Sequence, residues 1–386
     1  MSRALIEKVL LDLISYCWRK SWQGFDPYDA LNSPFLTFMS MNTSLGRMIC
    51  TQFVKRFPLN IRKVLWIKEG INPKGLGLFV SSLVNMYRKT GDEAFRQEAQ
   101  SLLTTLLSLA TPGYGGYCWG YNFPWQSRAF YIPAGTPTVV ATSYIANSFL
   151  DAYEVFKEGE YLKAARNSCE FILRDIKRTD FGGALCFSYS PMDESQVFNV
   201  TVLGAVLLSR VYSLTGESEL LKVAEKGINF IVNHQNDDGS WWYGLAENQR
   251  WIDNFHSGFI LECLMDYIGQ SQNAAPLSAL KKGFQFYRSH LFLDDGAAKY
   301  YPESLFPIDI HSLAQGIITF VKLKDLDPAA LGFAEKIAEW AVSHMYCGEG
   351  YFYFQKSRFY TNRIPYIRWS QAWMAKALSI LLNAAN

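Results

Sequence analysis

Two histidines stand close behind an acid in this chain: Asp253 precedes His256 and Asp309 precedes His311. An imidazole titrates near neutrality, so it can take up and return a proton, and a neighbouring carboxylate can orient the ring or raise its basicity. The same spacing also fits an Asp that caps a helix beside a packed His. Aromatic loops adjoin both pairs. Tyr301 and Glu303, in Tyr300-Tyr301-Pro302-Glu303, are further acid or base candidates. Asp26 and Asp29, in Gly24-Phe25-Asp26-Pro27-Tyr28-Asp29, form another acidic pair, which turn formation by Asp before Pro explains equally well. His234, His290 and His344 fall late in expected helices and read as partners of the helix C-terminal dipole.

Binding candidates gather in the same loops. Arg363 and Arg368 stand among Tyr360, Asn362 and Tyr366, and Arg128 lies in a long loop with Trp119, Tyr121, Asn122 and Trp125. Asn199, Trp242 and Tyr243 occupy corresponding places elsewhere in the chain. Arginine holds a carboxylate with two parallel hydrogen bonds, and Tyr or Trp offers a flat face to a ring. Ordinary Arg–aromatic packing is the alternative for each.

A six-fold recurrence positions these residues. Asn72-Pro73-Lys74, Thr136-Pro137-Thr138, Phe198-Asn199-Val200, Asp253 to His256, Asp309-Ile310-His311 and Arg368-Trp369-Ser370 each lead into an apolar, helix-like run. Anchored on Lys74, Thr138, Val200, His256, His311 and Ser370, the spacings are 64, 62, 56, 55 and 59 residues. A unit of about 60 residues is the size of two helices and their turns. Thr90-Gly91-Asp92 and Thr215-Gly216-Glu217 end one helix with Gly and begin the next with an acid.

The first helices of the units are expected near 74–89, 138–156, 200–214, 256–268, 311–323 and 369–383. The second helices fall near 92–110, 160–177, 218–234, 277–292 and 329–345. The N-terminal helix, 3–17, runs into an aromatic loop and supplies the missing sixth partner, closing the ring with 369–383, while a helix near 43–57 decorates it. First helices are rich in small apolar residues and should line the inside; second helices carry spaced charges and should lie outside. The loops with Gly115-Gly116-Tyr117-Cys118-Trp119, Gly182-Gly183, Gly239 to Tyr243, Lys299-Tyr300-Tyr301 and Gly350 to Tyr353 then meet at one mouth, with short strand-like segments.

Composition narrows the classes. The repeat fills nearly all 386 residues, so one domain, 1–386, is expected. A net charge of +2 gives no support for broad nucleic-acid binding. Seven scattered cysteines with no C-x-x-C pair fit reduced thiols in the cytoplasm. Glu7 and Asp12 interrupt the apolar N-terminal stretch, against a signal peptide, and no uncharged apolar run of about 20 residues suggests a membrane span. The acids and histidines lack metal-ligand spacing, and no phosphate-loop or dinucleotide motif occurs, so no metal or cofactor is expected.

The Thr-Gly-acid turns, the Gly-aromatic loops, and the segments Trp251-Ile252-Asp253-Asn254-Phe255-His256-Ser257-Gly258 and Arg368-Trp369-Ser370-Gln371-Ala372-Trp373 resemble the six-hairpin (α/α)6-barrel superfamily of carbohydrate-active enzymes. That superfamily includes glycoside hydrolases, polysaccharide lyases, sugar 2-epimerases and the helical domain of uronyl C5-epimerases. The resemblance implies an all-α (α/α)6 barrel that binds an oligosaccharide or polysaccharide at the mouth preceding the inner helices. Arg363, Arg368 and Arg128 among aromatic rings suggest an acidic saccharide such as a uronate, its carboxylate held by Arg363 and Arg368, with His256, His311, Tyr301 or Glu303 moving the C5 proton. Return of that proton to the opposite face gives epimerisation; loss of the C4 substituent gives lyase cleavage. Glycoside hydrolysis by paired carboxylates and saccharide binding without catalysis are the alternatives. With no export signal, polysaccharide biosynthesis or modification is expected over extracellular degradation. Separately, Gln235-Asn236-Asp237-Asp238-Gly239-Ser240-Trp241 resembles the Q-x-x-x-G-x-W motif of triterpene cyclases, although no D-x-D-D acid motif accompanies it. The alternative is a loop anchor behind an outer helix.

Overall fold

The computed structural model describes residues 2–128 and 130–384. In chain order its helices are α1 (Arg3–Arg19), α2 (Pro34–Met39), α3 (Ser44–Arg56), α4 (Pro73–Thr90), α5 (Glu93–Ser108), α6 (Val139–Phe156) and α7 (Gly159–Arg174). They continue as α8 (Phe198–Thr215), α9 (Ser218–Asn233), α10 (Asn254–Ser271), α11 (Leu277–His290), α12 (Ile310–Lys322), α13 (Ala330–Met345) and α14 (Trp373–Ala384). The inner helices α4, α6, α8, α10, α12 and α14 pack each on the next, and α14 packs back on α4. The outer helices α5, α7, α9, α11 and α13 lie against the inner helices they follow, and α1 lies against α14. This is an (α/α)6 barrel.

Amphipathicity sorts the two rings. Outer α9 buries Leu220, Ala224, Gly227, Ile228 and Ile231 along one stripe while Lys222, Glu225 and Lys226 face solvent. Inner α8 is buried along nearly its whole length. It is also the one described helix long and apolar enough to pass a test for a membrane span, with 72% of that window buried in the protein. Its apolarity is that of a barrel lining. Gly258 lets α10 pack closely on its neighbours: a Cβ there would meet Gln315 Cγ of α12 at 2.6 Å and the Tyr287 hydroxyl of α11 at 2.9 Å.

The polar clusters of the repeat prove to be helix starts. Side chains of Asn72, Thr138, Asp253 and Asp309 accept hydrogen bonds from the backbone N–H groups of Gly75, Ala141, His256 and His311, capping α4, α6, α10 and α12. Gly91 and Gly216 end α4 and α8 in the left-handed conformation, at φ 69° and 75°. Lys157 and Gln272 take that same conformation at the ends of α6 and α10 without a glycine, so the turn geometry repeats although its residue does not. The last inner helix departs from the expected 369–383, because a π-helical turn at Ile367–Ala372 precedes α14.

The loops before the inner helices carry short antiparallel pieces. Trp125–Gln126 pairs with Tyr131–Ile132, and Arg178–Asp180 pairs with Leu185–Phe187. A three-stranded piece joins Ile308–Asp309, Gln355–Lys356 and Thr361–Asn362, tying the starts of α12 and α14 together. Helices α2 and α3 are an excursion between α1 and α4. All seven cysteines are free thiols.

Candidate functional site

A cavity of about 780 Å³ opens among the loops that precede the inner helices. Its wall is aromatic, with Tyr121, Trp125, Tyr189, Tyr243, Trp251, Tyr300 and Trp369 among the lining rings. His256 and His311 both reach it from the first turns of α10 and α12. The two rings flank Phe255, with centroids 4.4 and 4.6 Å from it, and each lies 5.8 Å from Phe259.

The two Asp–His pairs differ in geometry. Asp253 caps α10 through Oδ1, and its Oδ2 lies 2.7 Å from His256 Nδ1 and accepts the Trp251 indole N–H at 3.0 Å. With Nδ1–H donated to Asp253, the other ring nitrogen, Nε2, carries the lone pair of the neutral ring. Tyr243 covers His256 at 4.7 Å and is itself stacked on Trp251 at 4.4 Å. Asp309, expected to serve His311 in the same way, does not. It is fully buried outside the lining and accepts the His311 backbone N–H, the Trp369 indole N–H and the Gln355 amide, so its oxygens are taken up in holding three elements together. A separation of two residues puts the cap on the backbone and leaves the ring alone.

His311 is consequently unusual: it is buried, and neither ring nitrogen has a hydrogen-bond partner among the described residues. It stacks on Trp373 at 4.4 Å and meets Trp369 edge-on. Burial, followed by the charges of Lys74 and Arg368, holds its pKa well below 6.5, so the ring is neutral. Lys74, in the first turn of α4, lines the same cavity. Its ammonium has no hydrogen-bond or ion-pair partner among the described residues and sits over Tyr144 at 4.3 Å, Trp373 at 5.3 Å and Phe259 at 5.8 Å. Burial, then Arg368 and Lys376, push its pKa well below 10.5. Asn199, from the first turn of α8, adds a buried amide whose Oδ1 is likewise unpartnered.

Charge in the lining is one-sided. Lys55, Arg56, Lys74, Arg128, Arg358 and Arg368 are its basic residues, and Asp253 is the single acid among the described lining residues. Arg368 is held by Asp26 through two buried hydrogen bonds of 2.6 and 2.8 Å. Arg128 is exposed over Trp251 at 4.7 Å, and Tyr360 stands at the rim, its hydroxyl donating to Arg56 O. Burial raises the phenols of Tyr189, Tyr300 and Tyr301, which stay protonated.

Several sequence candidates lie elsewhere. Glu303 is exposed in a turn closed by Tyr301 and Ser304. Trp119 is fully buried and donates to Leu106 O, packing behind the wall. Asn122 bonds the α4 cap Asn72, and Trp242 lies under Arg250 outside the lining. Arg363 is exposed over Tyr353, so it does not join Arg368, and Tyr366 is a core ring beneath Arg62. His234, His290 and His344 each place Nδ1 on the carbonyl four residues earlier in their helices. The structure also adds Lys74, Tyr28, Lys55, Tyr189, Trp251, Tyr300 and Trp369 to the lining. Lys74 occupies the same repeat anchor as His256 and His311, and that equivalence was its signal in the sequence.

The Gln235–Trp241 motif is structural. Gln235 donates to Gly239 O and Ala279 O, Trp241 donates to Ile231 O, and the Trp241 ring packs where a side chain on Gly283 would stand. It fastens the end of α9 to α11.

No protein-family model and no curated protein sequence matches the chain. Solved structures of similar fold include a cellobiose 2-epimerase from Bacillus thermoamylovorans, 12% identical over 81% of this chain and 88% of that one, with a TM-score of 0.64. A family 76 glycoside hydrolase from a bovine Bacteroides thetaiotaomicron strain is 14% identical over 82% of this chain and 70% of that one, at a TM-score of 0.63. An unsaturated glucuronyl hydrolase from Bacillus sp. GL1 is 16% identical over 80% and 85%, at 0.59. At these identities the likeness is one of fold.

Proposed function

We propose that the chain is a carbohydrate-active enzyme that abstracts the C5 proton of a uronate in an acidic saccharide. The observation that carries this reading is a cavity holding an oriented imidazole within a lining of six basic residues and one acid. Aromatic walls suit sugar rings, and the cation excess suits a carboxylate. The fold neighbours support the saccharide class, since they include sugar epimerases, an isomerase and glycoside hydrolases.

In this mechanism the substrate carboxylate docks against Lys74, a buried lining lysine with no protein counter-ion among the described residues. Neutralising the carboxylate stabilises the electron pair left when the C5–H bond breaks. His256 Nε2 takes the proton, and Asp253 stabilises the imidazolium through Nδ1. Neutral His311 has one N–H to donate and one lone pair to accept, which suits it to a hydroxyl or the developing enolate. The phenol of Tyr301, protonated at neutral pH, delivers a proton to the opposite face of C5 for epimerisation, or to the departing C4 oxygen for elimination. Arg368 keeps the wall rigid and positive, its two carboxylate bonds already spent on Asp26.

Hydrolysis by a carboxylate pair has less support, because Asp26, Asp253 and Asp309 are each engaged by a partner and Glu303 lies outside. A panel of uronate polymers and neutral oligosaccharides tests the proposal. Turnover confined to the acidic members is expected, with new ultraviolet absorbance marking elimination and its absence marking epimerisation. Turnover of neutral glycans alone, insensitive to substitution of His256, would overturn it.

A further inference from the structure

The excursion between α1 and α4 presents an apolar ridge that none of the described residues covers. Along α3, Leu45, Ile49 and Phe53 recur every four residues on one face and are 67%, 58% and 52% exposed. Phe38 and Met41, just before α3, are more than 80% exposed, and so is Phe359 on a loop that reaches α3 through the bond from Tyr360 to Arg56 O. An α-helix that turns its large apolar side chains outward has its natural partner outside the fold.

Charge selects the partner. Residues 30–68 contain no Asp or Glu but six basic residues, of which Arg56, Lys63 and Lys68 are exposed. Residues 350–367 are also free of acids and carry Lys356, Arg358 and Arg363. The whole chain is only +2, so positive charge is concentrated on this side. A symmetric dimer through the ridge would set the same basic border against itself. An amphipathic helix with exposed Phe, Leu and Ile within a basic border instead matches an anionic bilayer, where the apolar face enters the headgroup boundary and the cations meet lipid charge.

We propose that the α2–α3 face docks on an anionic lipid bilayer and holds the mouth of the cavity at that surface. The rim supplies the link, because Met48, Gln52 and Arg56 of α3, together with Arg358 and Phe359, line the cavity entrance. The saccharide chemistry of the preceding section is not required for this docking.

Vesicle flotation tests it, using phosphatidylcholine alone and phosphatidylcholine mixed with phosphatidylglycerol. The protein is expected to float with the mixed vesicles, to be released by high salt, and to bind phosphatidylcholine alone weakly. A double variant, Ile49→Asp with Phe53→Asp, should lose binding by about tenfold or more while its circular dichroism spectrum is unchanged. Leu45→Ser, a milder change at a more exposed position, should weaken binding in the same direction if the double variant misfolds. Leu214→Asp, on the turn side of α8, should leave binding intact. Failure of the wild type to float with anionic vesicles, or equal flotation of the folded variants, would overturn the proposal. So would a dimer in sedimentation velocity that the double variant dissolves without any vesicle binding, since that assigns the face to a second copy.

Discussion

His256 and His311 occupy equivalent places in successive repeats, yet the atoms around them assign them different work. Asp253 grips the His256 ring, whereas Asp309 grips only the backbone of His311. His256→Ala should therefore lower kcat by roughly 10²–10⁴-fold, the usual worth of a general base, with Asp253→Asn falling in the same direction because the ring loses its tautomer. Steady-state kinetics on the proposed uronate substrate check both. Lys74→Met should lower kcat/KM roughly 10- to 100-fold, from the loss of a charged hydrogen bond worth about 1.5–3 kcal/mol, with kcat falling because the developing negative charge loses its partner. A variant equal to wild type in kcat/KM would remove Lys74 from the site. His311 makes a separate statement about pH. Its folded pKa is depressed below the 6.5 of the unfolded chain, so between those values the unfolded state binds more protons and stability falls as pH drops below 6.5. Denaturation midpoints across that range should fall less steeply in His311→Gln. At this scale the sequence showed residue types and repeat positions, and thus the histidines, but not partners. Whether Arg368 was free or paired with Asp26 depended on two segments 342 residues apart.

At the scale of elements, the repeat was legible because four of the six inner helices start on a capping side chain and the outer helices show one apolar stripe. Boundaries shifted by a few residues where the cap lay before the anchor, as with Asp253 and α10. The π-helical turn before α14 had no sequence signal, since its distinction is a hydrogen-bond shift and not a residue type. Loop contents were harder for the same reason: Trp119 and Trp242 share the composition of the cavity wall but point to other tasks. The Gln235–Trp241 motif illustrates how a shared pattern can serve packing. Trp241→Ala should destabilise the fold by about 3–5 kcal/mol through the lost ring and its bond to Ile231 O, with little effect on KM. Chemical denaturation paired with kinetics separates those outcomes.

For the whole molecule, closure of α14 on α4 turns six separated helix starts into one ring of side chains. Residues as distant as Lys74, Asn199, His256 and His311 then share a single cavity. The ring was readable from the spacing of about 60 residues; the excess of cations inside it was not, because a chain of net charge +2 gives no sign of where that charge collects. The exposed ridge of α3 was hidden in a segment expected only as a decorating helix. The central claim concerns one proton. Incubating the protein with a uronate oligosaccharide in heavy water and locating deuterium by mass spectrometry and NMR tests it most directly. The account predicts deuterium at C5 in epimerised product, or deuterium-independent unsaturated ends if elimination follows, with either signal lost in His256→Ala. Turnover of the uronate with neither exchange at C5 nor unsaturation, or full activity in His256→Ala, would contradict it.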